Sequence, residues 1–126
     1  LAIVIDHAAK PEVSVNDRPA DDWRSAMTQI AQCPNVHCKL SGLATEAGKD
    51  QGGAELLPYL QHLLAVFGSE RLMWGSDWPV IHLAPNKYLS SYKNWFGLVD
   101  HALTGCKTSD FENVFIGTSL RFYRIT

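Results

Sequence analysis

The stretch that decides the fold reads Arg71-Leu72-Met73-Trp74-Gly75-Ser76-Asp77-Trp78-Pro79-Val80. Its apolar first half predicts a buried strand, and two residues with almost no side chain end that strand. Asp77 is a carboxylate placed where the apolar run stops, and Pro79 cannot donate a further ladder hydrogen bond. A carboxylate at the carboxyl end of a strand, followed by a loop, lies where α/β proteins place their chemistry. Asp77 is therefore a candidate functional residue, with a loop cap as the structural alternative.

Two earlier stretches also predict strands. Residues 1–5 form a continuous apolar run that suits a strand buried on both faces, and residues 36–40 are a weaker candidate. Helices are predicted between and after the strands, because apolar side chains recur there at intervals of three and four. Those side chains are Trp23, Met27 and Ile30, then Leu56, Leu60, Leu63 and Phe67, then Leu89, Tyr92, Phe96, Val99 and Leu103. Asp21 and Asp22 stand where the first helix should have its N-cap, Ser109 begins a capping box, and Thr118 is expected to cap a last helix.

The resulting β–α–β–α–β–α order predicts an α/β fold with a parallel sheet. Strands begin at about residues 2, 36 and 71, a spacing close to the roughly 30 residues per unit of an eight-fold barrel. A sheet of three parallel strands would leave two bare edges. We therefore expect residues 1–126 to be part of one (β/α)8 TIM barrel domain. A flavodoxin-like sheet, which usually needs about five strands, is the alternative.

Composition excludes several classes of function. The 126 residues are 46% hydrophobic, and 11 basic against 13 acidic residues give a formal charge of −2. No basic run points to nucleic acid, and no apolar stretch approaches the roughly 20 residues of a membrane span. Three cysteines without a CxxC pair indicate thiols of a reducing compartment, so we expect a cytoplasmic protein without a cysteine zinc site. Because the first residue is Leu1 rather than Met, we expect a part of a longer chain and leave an upstream signal peptide open.

Two strand ends carry the residue types that chemistry needs. All carboxyl ends of a parallel barrel lie at one face, so His7 and Asp77 are expected to converge on one pocket. Imidazole and carboxylate are ligands that zinc or manganese accepts, and they also act as electrophile and general base without a metal. A histidine satisfied by backbone near a strand end is the structural alternative for His7.

Four other residues are candidates for contact with a substrate. Ser41 ends the second strand, but no nucleophile elbow surrounds it, so hydrogen bonding or packing is expected. Lys10 could meet an anionic substrate group or be solvated. Trp78 offers an apolar face to a sugar or an aromatic ring, or plugs the mouth of the barrel. His82 lies on the loop that follows Asp77.

Four ionisable residues are expected to be structural. Asp6 should point to the opposite side of its strand from His7 and hydrogen-bond in the helical layer. His37 lies within a predicted strand, and His62 and His101 lie inside predicted helices. None of these three histidines is at a strand end.

Three motifs together resemble the amidohydrolase-related (amidohydrolase 2) family. They are Asp6-His7 followed by Lys10-Pro11, then Asn35-Val36 with Lys39-Leu40-Ser41-Gly42-Leu43, then Phe67-Gly68-Ser69-Glu70 running into the stretch quoted above. Within the family, the chain is most similar to the metal-dependent TIM-barrel hydrolases that include L-fuconolactonase and pyrone-dicarboxylate lactonase. One departure is Gly117-Thr118-Ser119, where relatives usually have Gly-Asn-Ala.

The resemblance implies a distorted (β/α)8 barrel of which this chain supplies about strands 6–8, the C-terminal part. It implies that Asp77 activates the hydrolytic water and that His7 polarises the scissile carbonyl or helps to hold a metal. The His-x-His of strand one and the groups of strands four and five are absent from this sequence. Members differ over whether a metal is retained, so one zinc or manganese ion and a metal-independent site both stay open.

The function predicted on this basis is hydrolysis of a lactone or related carbonyl ester by an activated water. The substrate would be a small molecule, either a sugar lactone or a carboxylated lactone, and a homo-oligomer stays open. A metal-dependent nonoxidative decarboxylase of the same family is the alternative, and a catalytically silent fragment or interaction module is a further one. The isolated fragment is expected to be inactive.

Overall fold

The computed structural model describes residues 1–13 and 19–126. Strands and helices alternate along these ranges, as the sequence predicts. The bounds are β1 Ile3–Ile5, α1 Asp21–Ile30, β2 Val36–Leu40, α2 Gly53–Phe67, β3 Leu72–Trp74, α3 Tyr92–Ala102, α4 Thr108–Glu112 and α5 Thr118–Tyr123. In the described ranges, none of the helices is both long and apolar enough to span a bilayer.

The three strands form one parallel sheet with β2 in the centre. Ile3 pairs with Val36 in the first ladder, and Cys38 pairs with Leu72 in the second. Among the described residues, each outer strand is paired along one side only. Ile3 is 45% exposed, so the expectation that the first strand is buried on both faces is wrong for this residue. The physical reason is its place at the edge of the sheet.

The two faces of the sheet are covered by different helices. Side chains of β2 alternate, and Val36, Cys38 and Leu40 belong to the buried core that includes Leu56, Leu60 and Leu63 of α2. The opposite face of β2 meets α5, where the His37 ring lies 4.9 Å from the Phe122 ring. On the same face, Lys39 Nζ lies 5.7 Å from the centre of the Tyr123 ring. One face of β2 is therefore buried in the core, and the other face is half-buried.

Arg71 ties the sheet to the preceding helices at its amino ends. Its guanidinium donates hydrogen bonds to the carbonyl oxygens of Ala31, Cys33 and Val36, at 2.8, 3.1 and 3.2 Å. It also donates to Phe67 O at 3.2 Å. The planar fork of arginine suits several acceptors at once. The start of β3 is thereby fixed relative to the end of α1 and the start of β2.

Three predicted helix starts are corrected by the structure. α1 takes Ala20 as its N-cap, so Asp21 and Asp22 stand in its first turn, where carboxylates favour the helix dipole. α3 begins at Tyr92, and Leu89 is buried in the loop before it. The capping box of α4 joins Asp110 to the backbone N–H of Lys107, at 3.0 Å, so Ser109 is not the cap.

Thr118 does not cap a separate helix. A π-helical turn, Asn113–Gly117, joins α4 to α5 without a break. Thr118 has helical backbone angles and is buried, and its hydroxyl donates to Ser69 O at 3.0 Å. Its side chain therefore fastens the last helical segment to the turn before β3.

The cysteines are free, in agreement with the expectation from their spacing. Cys33 and Cys106 are exposed, and Cys38 is buried in the core. Burial raises the pKa of the Cys38 thiol to about 12. That thiol is inert at neutral pH.

Candidate active site

A single left-handed turn follows β1 and carries His7. The φ angles of His7, Ala8, Ala9 and Lys10 are 54°, 52°, 60° and 48°. Left-handed backbone costs a residue with a Cβ roughly 1–2 kcal/mol, so the turn needs support from other contacts. Lys10 N donates to His7 O at 2.8 Å, and Trp23 Nε1 of α1 donates to Ala8 O at 2.9 Å. These contacts hold a conformation that the local sequence disfavours.

The turn directs the His7 imidazole across the end of β2. His7 Nδ1 lies 2.8 Å from Ser41 Oγ, within hydrogen-bond distance. His7 Nε2 lies 3.8 Å from Asp77 Oδ1, and their side chains are 34% and 13% exposed. The structure therefore brings together the histidine and the aspartate that the sequence singles out. Both side chains remain accessible enough to meet a small molecule.

A short stem, Gly75-Ser76, connects the end of β3 to Asp77. The φ of Asp77 is 56°, so it too has left-handed backbone. Trp95 Nε1 of α3 donates to Gly75 O at 2.9 Å, and Ile81 N donates to Asp77 O at 2.8 Å. These two bonds hold the stem from both sides. The sequence did not predict these structural roles of Trp95 and Ile81.

Gly42 is required where β2 meets the His7 ring. Its φ is +68°, and a Cβ at this position would lie 2.5 Å from His7 Cγ. No real Cβ approaches a heavy atom that closely, so a larger residue would displace the imidazole. Ser41, one residue earlier, is only 2% exposed. The Ser-Gly pair thus forms the surface on which the histidine ring rests.

Lys10 is engaged by a partner that the sequence did not indicate. Lys10 Nζ lies 2.8 Å from Glu46 Oε1, in the loop after β2. The hydrogen bond with Glu46 raises the pKa of Lys10 above its usual value, and the negative charge of Asp77 adds a smaller contribution. The charges of Lys10 and Asp77 therefore interact, but the positive charge of Lys10 is balanced mainly by Glu46.

Asp6 also departs from expectation. Its Oδ1 lies 2.7 Å from Lys39 Nζ, on the face of β2 opposite the buried core, so the expected hydrogen bond in the helical layer is wrong. The hydrogen bond from Lys39 is the main cause that lowers the pKa of Asp6. This is the face that the alternation of β1 gives Asp6, because Val4 pairs with His37 on the same side, and the left-handed turn that begins at His7 redirects the histidine instead.

Trp78 and His82 lie on the loop after Asp77 but are turned towards solvent. Trp78 is 66% exposed, and its backbone N–H donates to Ser76 Oγ at 3.2 Å. His82 is exposed and its Nδ1 lies 3.1 Å from Ser90 O. Within residues 1–13 and 19–126, neither side chain hydrogen-bonds to His7 or Asp77.

Asn86 joins the loops that follow β2 and β3. Its Nδ2 donates to Gln51 O at 2.9 Å, and its Oδ1 accepts from Tyr88 N at 2.9 Å and from Leu89 N at 3.2 Å. Gln51 Nε2 in turn donates to Val13 O in the loop after β1, at 3.3 Å. All three loops at the carboxyl ends are therefore linked. An isolated asparagine in a loop gave no sequence signal for this role.

The donor set suits the edge of a metal site but does not complete one. His7 Nε2 and Asp77 Oδ1 are ligand types that zinc takes, and their 3.8 Å separation is compatible with a shared ion at about 2.0–2.2 Å from each. A catalytic zinc usually has three protein ligands. Across the described part of the chain, no group of three or more histidine, cysteine, aspartate or glutamate side chains could hold an ion. Further ligands would have to come from elsewhere.

Comparison with known sequences gives a consistent family signal. The family described as Amidohydrolase matches residues 1–125. An L-fucono-1,5-lactonase of Burkholderia ambifaria is 43% identical over 126 residues, which are 99% of this chain and 42% of the relative. An L-fucono-1,5-lactonase of Burkholderia multivorans is 38% identical and is matched over 98% of this chain and 43% of its own length. The chain thus spans about two fifths of these curated relatives.

Solved structures agree with the sequence comparison. An amidohydrolase of Burkholderia multivorans, crystallised with bound zinc, superposes with a TM-score of 0.86 at 35% identity, over 99% of this chain and 44% of that one. A putative 2-pyrone-4,6-dicarboxylic acid hydrolase of Pseudomonas putida gives a TM-score of 0.71 at 25% identity, over 98% of this chain and 43% of that one.

Proposed function

Because the chain belongs to the amidohydrolase family, we propose that it forms the last three βα units of a (β/α)8 barrel that hydrolyses a lactone. Two observations support the barrel. The chain covers a little under half of its structural relatives, and both outer strands of its sheet have a free edge among the described residues. Partner strands on those edges would close the sheet. We place residues 1–126 at the C-terminal part of that single domain.

The approach of His7 and Asp77 at the carboxyl ends of the outer strands carries the proposal. Asp77 accepts a proton from a water molecule as the water oxygen adds to the lactone carbonyl carbon. His7 donates a hydrogen bond to the carbonyl oxygen as negative charge develops there. The ring C–O bond then breaks, and the leaving alkoxide takes the proton held by Asp77. The product is the open-chain hydroxy acid.

A bound zinc would be held by His7 and Asp77 together with ligands from outside the described residues, and would polarise the carbonyl and lower the pKa of the attacking water. The choice of zinc over manganese follows the zinc-containing structural relative. The proton acceptor on this chain is Asp77 in either case. The geometry of His7 and Asp77 therefore supports the two roles that need no metal, namely His7 as hydrogen-bond donor and Asp77 as proton acceptor.

The charges around the site favour an uncharged sugar lactone over a carboxylated one. Among the described residues near the ends of β1 and β2, Lys10 is paired with Glu46 at 2.8 Å and Lys39 is paired with Asp6 at 2.7 Å. Binding of a dicarboxylate would require a free cation or the loss of one of these pairs. A sugar lactone needs only hydrogen bonds and an apolar face, which the exposed Trp78 offers.

The test is an assay of the full-length protein with two lactones. L-Fucono-1,5-lactone and 2-pyrone-4,6-dicarboxylate are offered separately, and acid release is followed in a pH-stat with and without a chelator. We expect turnover of the sugar lactone and little of the dicarboxylate. Release of carbon dioxide from a carboxylated substrate, without lactone hydrolysis, would establish the decarboxylase instead. No turnover of either lactone would count against the proposal.

A further inference from the structure

We propose that Ser41 is a positioning residue that fixes the tautomer of His7, so that the hydrogen of the neutral imidazole is on Nε2 and faces the site. The catalytic consequence rests on the proposed function. The tautomer itself does not, because it follows from contacts within this chain.

The first step concerns the hydroxyl hydrogen of Ser41. The residue is 2% exposed, so water cannot serve as its routine partner. Buried hydroxyl groups in folded proteins hydrogen-bond almost without exception. Within the described ranges, the partner of Ser41 Oγ is His7 Nδ1, at 2.8 Å. If Ser41 Oγ only accepted from Nδ1–H, its own hydrogen would have no acceptor among these residues, so we assign Ser41 as the donor and Nδ1 as the acceptor.

The second step concerns the imidazole. A neutral histidine has one ring nitrogen as donor and the other as acceptor. Since Nδ1 accepts from Ser41, the hydrogen must lie on Nε2. Nε2 is 3.8 Å from Asp77 Oδ1, too far for a hydrogen bond, so its N–H is not consumed by the carboxylate. It is free to meet a carbonyl oxygen, while Asp77 is free to accept a proton from water.

The backbone lies close against both side chains. A Cβ at Gly75 would lie 3.2 Å from Ser41 Cβ, and a Cβ at Gly42 would lie 2.6 Å from His7 Nδ1. The backbone after β3 thus abuts the serine, and the backbone after β2 abuts the imidazole. Hydrogen-bond donors that are fixed before reaction need no reorganisation when the oxyanion develops. The serine and the two glycines together supply that rigidity.

The consequence is a choice between the two roles open to His7. Coordination of a metal ion by Nε2 would require the hydrogen to move to Nδ1 and Ser41 to accept it, so the tautomer set by Ser41 favours Nε2 as hydrogen-bond donor to the substrate carbonyl over Nε2 as metal ligand. Ser41 in turn has its hydroxyl committed to His7 and does not contact the substrate. Both roles follow from the direction of one hydrogen bond.

The experiment measures the tautomer directly by ¹⁵N NMR of the full-length protein labelled at histidine. The His7 signals are identified by their loss in His7→Asn. We expect a protonated Nε2 and an unprotonated, hydrogen-bonded Nδ1 in the wild type at a pH where the ring is neutral. In Ser41→Ala both tautomers should be populated. A wild-type spectrum with the hydrogen on Nδ1 would overturn the proposal outright, whether or not the protein hydrolyses a lactone.

Kinetics supply the second readout, with a matched control. Ser41→Ala should lower kcat by about tenfold with KM within about threefold, the size expected for one lost hydrogen bond. Ser41→Cys, a weaker donor of similar size, should lie between. Ser69→Ala removes another buried hydroxyl, bonded to Asp110 at 2.6 Å far from His7, and should leave kcat unchanged. Equal kcat values for Ser41→Ala and the wild type would show that Ser41 only fills space.

Discussion

His7 Nε2 lies 3.8 Å from Asp77 Oδ1, although the two residues follow opposite edge strands of the sheet. With β2 between them, strands β1 and β3 are about 9–10 Å apart, two strand spacings. The gap is closed because both residues have left-handed backbone, with φ of 54° and 56°. Each side chain thereby leans over the end of β2. Strained backbone that recurs at two facing polar residues is typical of functional sites.

Asp77→Asn should abolish most activity and leave the fold intact. Asparagine tolerates left-handed backbone as well as aspartate does and keeps most hydrogen bonds, but it cannot take a proton from water. In the full-length protein we expect kcat for the lactone to fall by about 10²- to 10⁴-fold, with the melting temperature within a few degrees. Activity assays and thermal melts provide the comparison. If fold and activity are lost together, Asp77 is a structural residue of the loop.

His7→Asn is the matching test for the imidazole. Asparagine suits the φ of 54° better than alanine would, so the turn should persist. Turnover should fall by about 10²-fold or more, the range for loss of an acid, base or oxyanion donor. His7→Ala should lose as much activity and, in addition, some stability. Near-wild-type rates in both variants would mean that His7 is structural.

Gly42→Ala and Gly68→Ala separate backbone strain from contact with His7. Both glycines have nearly the same φ, +68° and +70°, but a Cβ at Gly42 would collide with the imidazole whereas a Cβ at Gly68 meets nothing within 4 Å. Each substitution should cost at least about 1–2 kcal/mol of unfolding free energy, measured by denaturant titration, because the clash adds to the cost at Gly42 and the ψ of 164° adds to it at Gly68. Only Gly42→Ala should also reduce kcat, by at least tenfold. Equal kcat values in the two variants would mean that the contact with His7 has no catalytic importance.

The site was predictable in its residues but not in its geometry. Asp77 and His7 were found because each follows an apolar run, and parallel strands present their carboxyl ends together. The left-handed turn was not foreseeable, since Ala8 and Ala9 replace the glycines that usually mark such backbone. Its support comes from Trp23, a residue of the next helix. Local patterns cannot report a contact that only the packed fold creates.

The ion pair of Asp6 and Lys39 should make stability depend on pH. The hydrogen bond from Lys39 lowers the pKa of Asp6 below its usual 3.8, so the unfolded state binds more protons as pH falls. The contribution is present above pH 3.8 and is lost as pH falls through the folded-state pKa. The hydrogen bond with Asp6 is the main cause that raises the pKa of Lys39 above 10.5. The same contribution to stability is therefore fully present below pH 10.5 and is lost as pH rises through the raised, folded-state pKa of Lys39.

Lys39→Met tests this pair. Because the Asp6 side chain is 62% exposed, we expect a loss of only about 0.2–1 kcal/mol at pH 7 and a weaker dependence of the melting temperature on pH below 4. Exposed Lys93 on α3 provides the control for removal of one positive charge, as Lys93→Met. An unchanged acid dependence in Lys39→Met would show that the pair does not contribute.

The isolated chain should associate and should not hydrolyse lactones. Within the described residues, the outer side of β1 has no strand partner, and its Ile3 is 45% exposed at that edge. Unpaired strand edges with apolar side chains recruit other chains, so residues 1–126 alone should elute as oligomers or aggregates in size-exclusion chromatography with light scattering. Ile3→Lys should reduce association, because a charged edge residue disfavours pairing. Ile30→Lys, which alters a residue of α1 that is 38% exposed, should not. A monomer with a sharp cooperative melt and measurable lactone turnover would show that these residues form a complete enzyme and that the barrel proposed here is wrong.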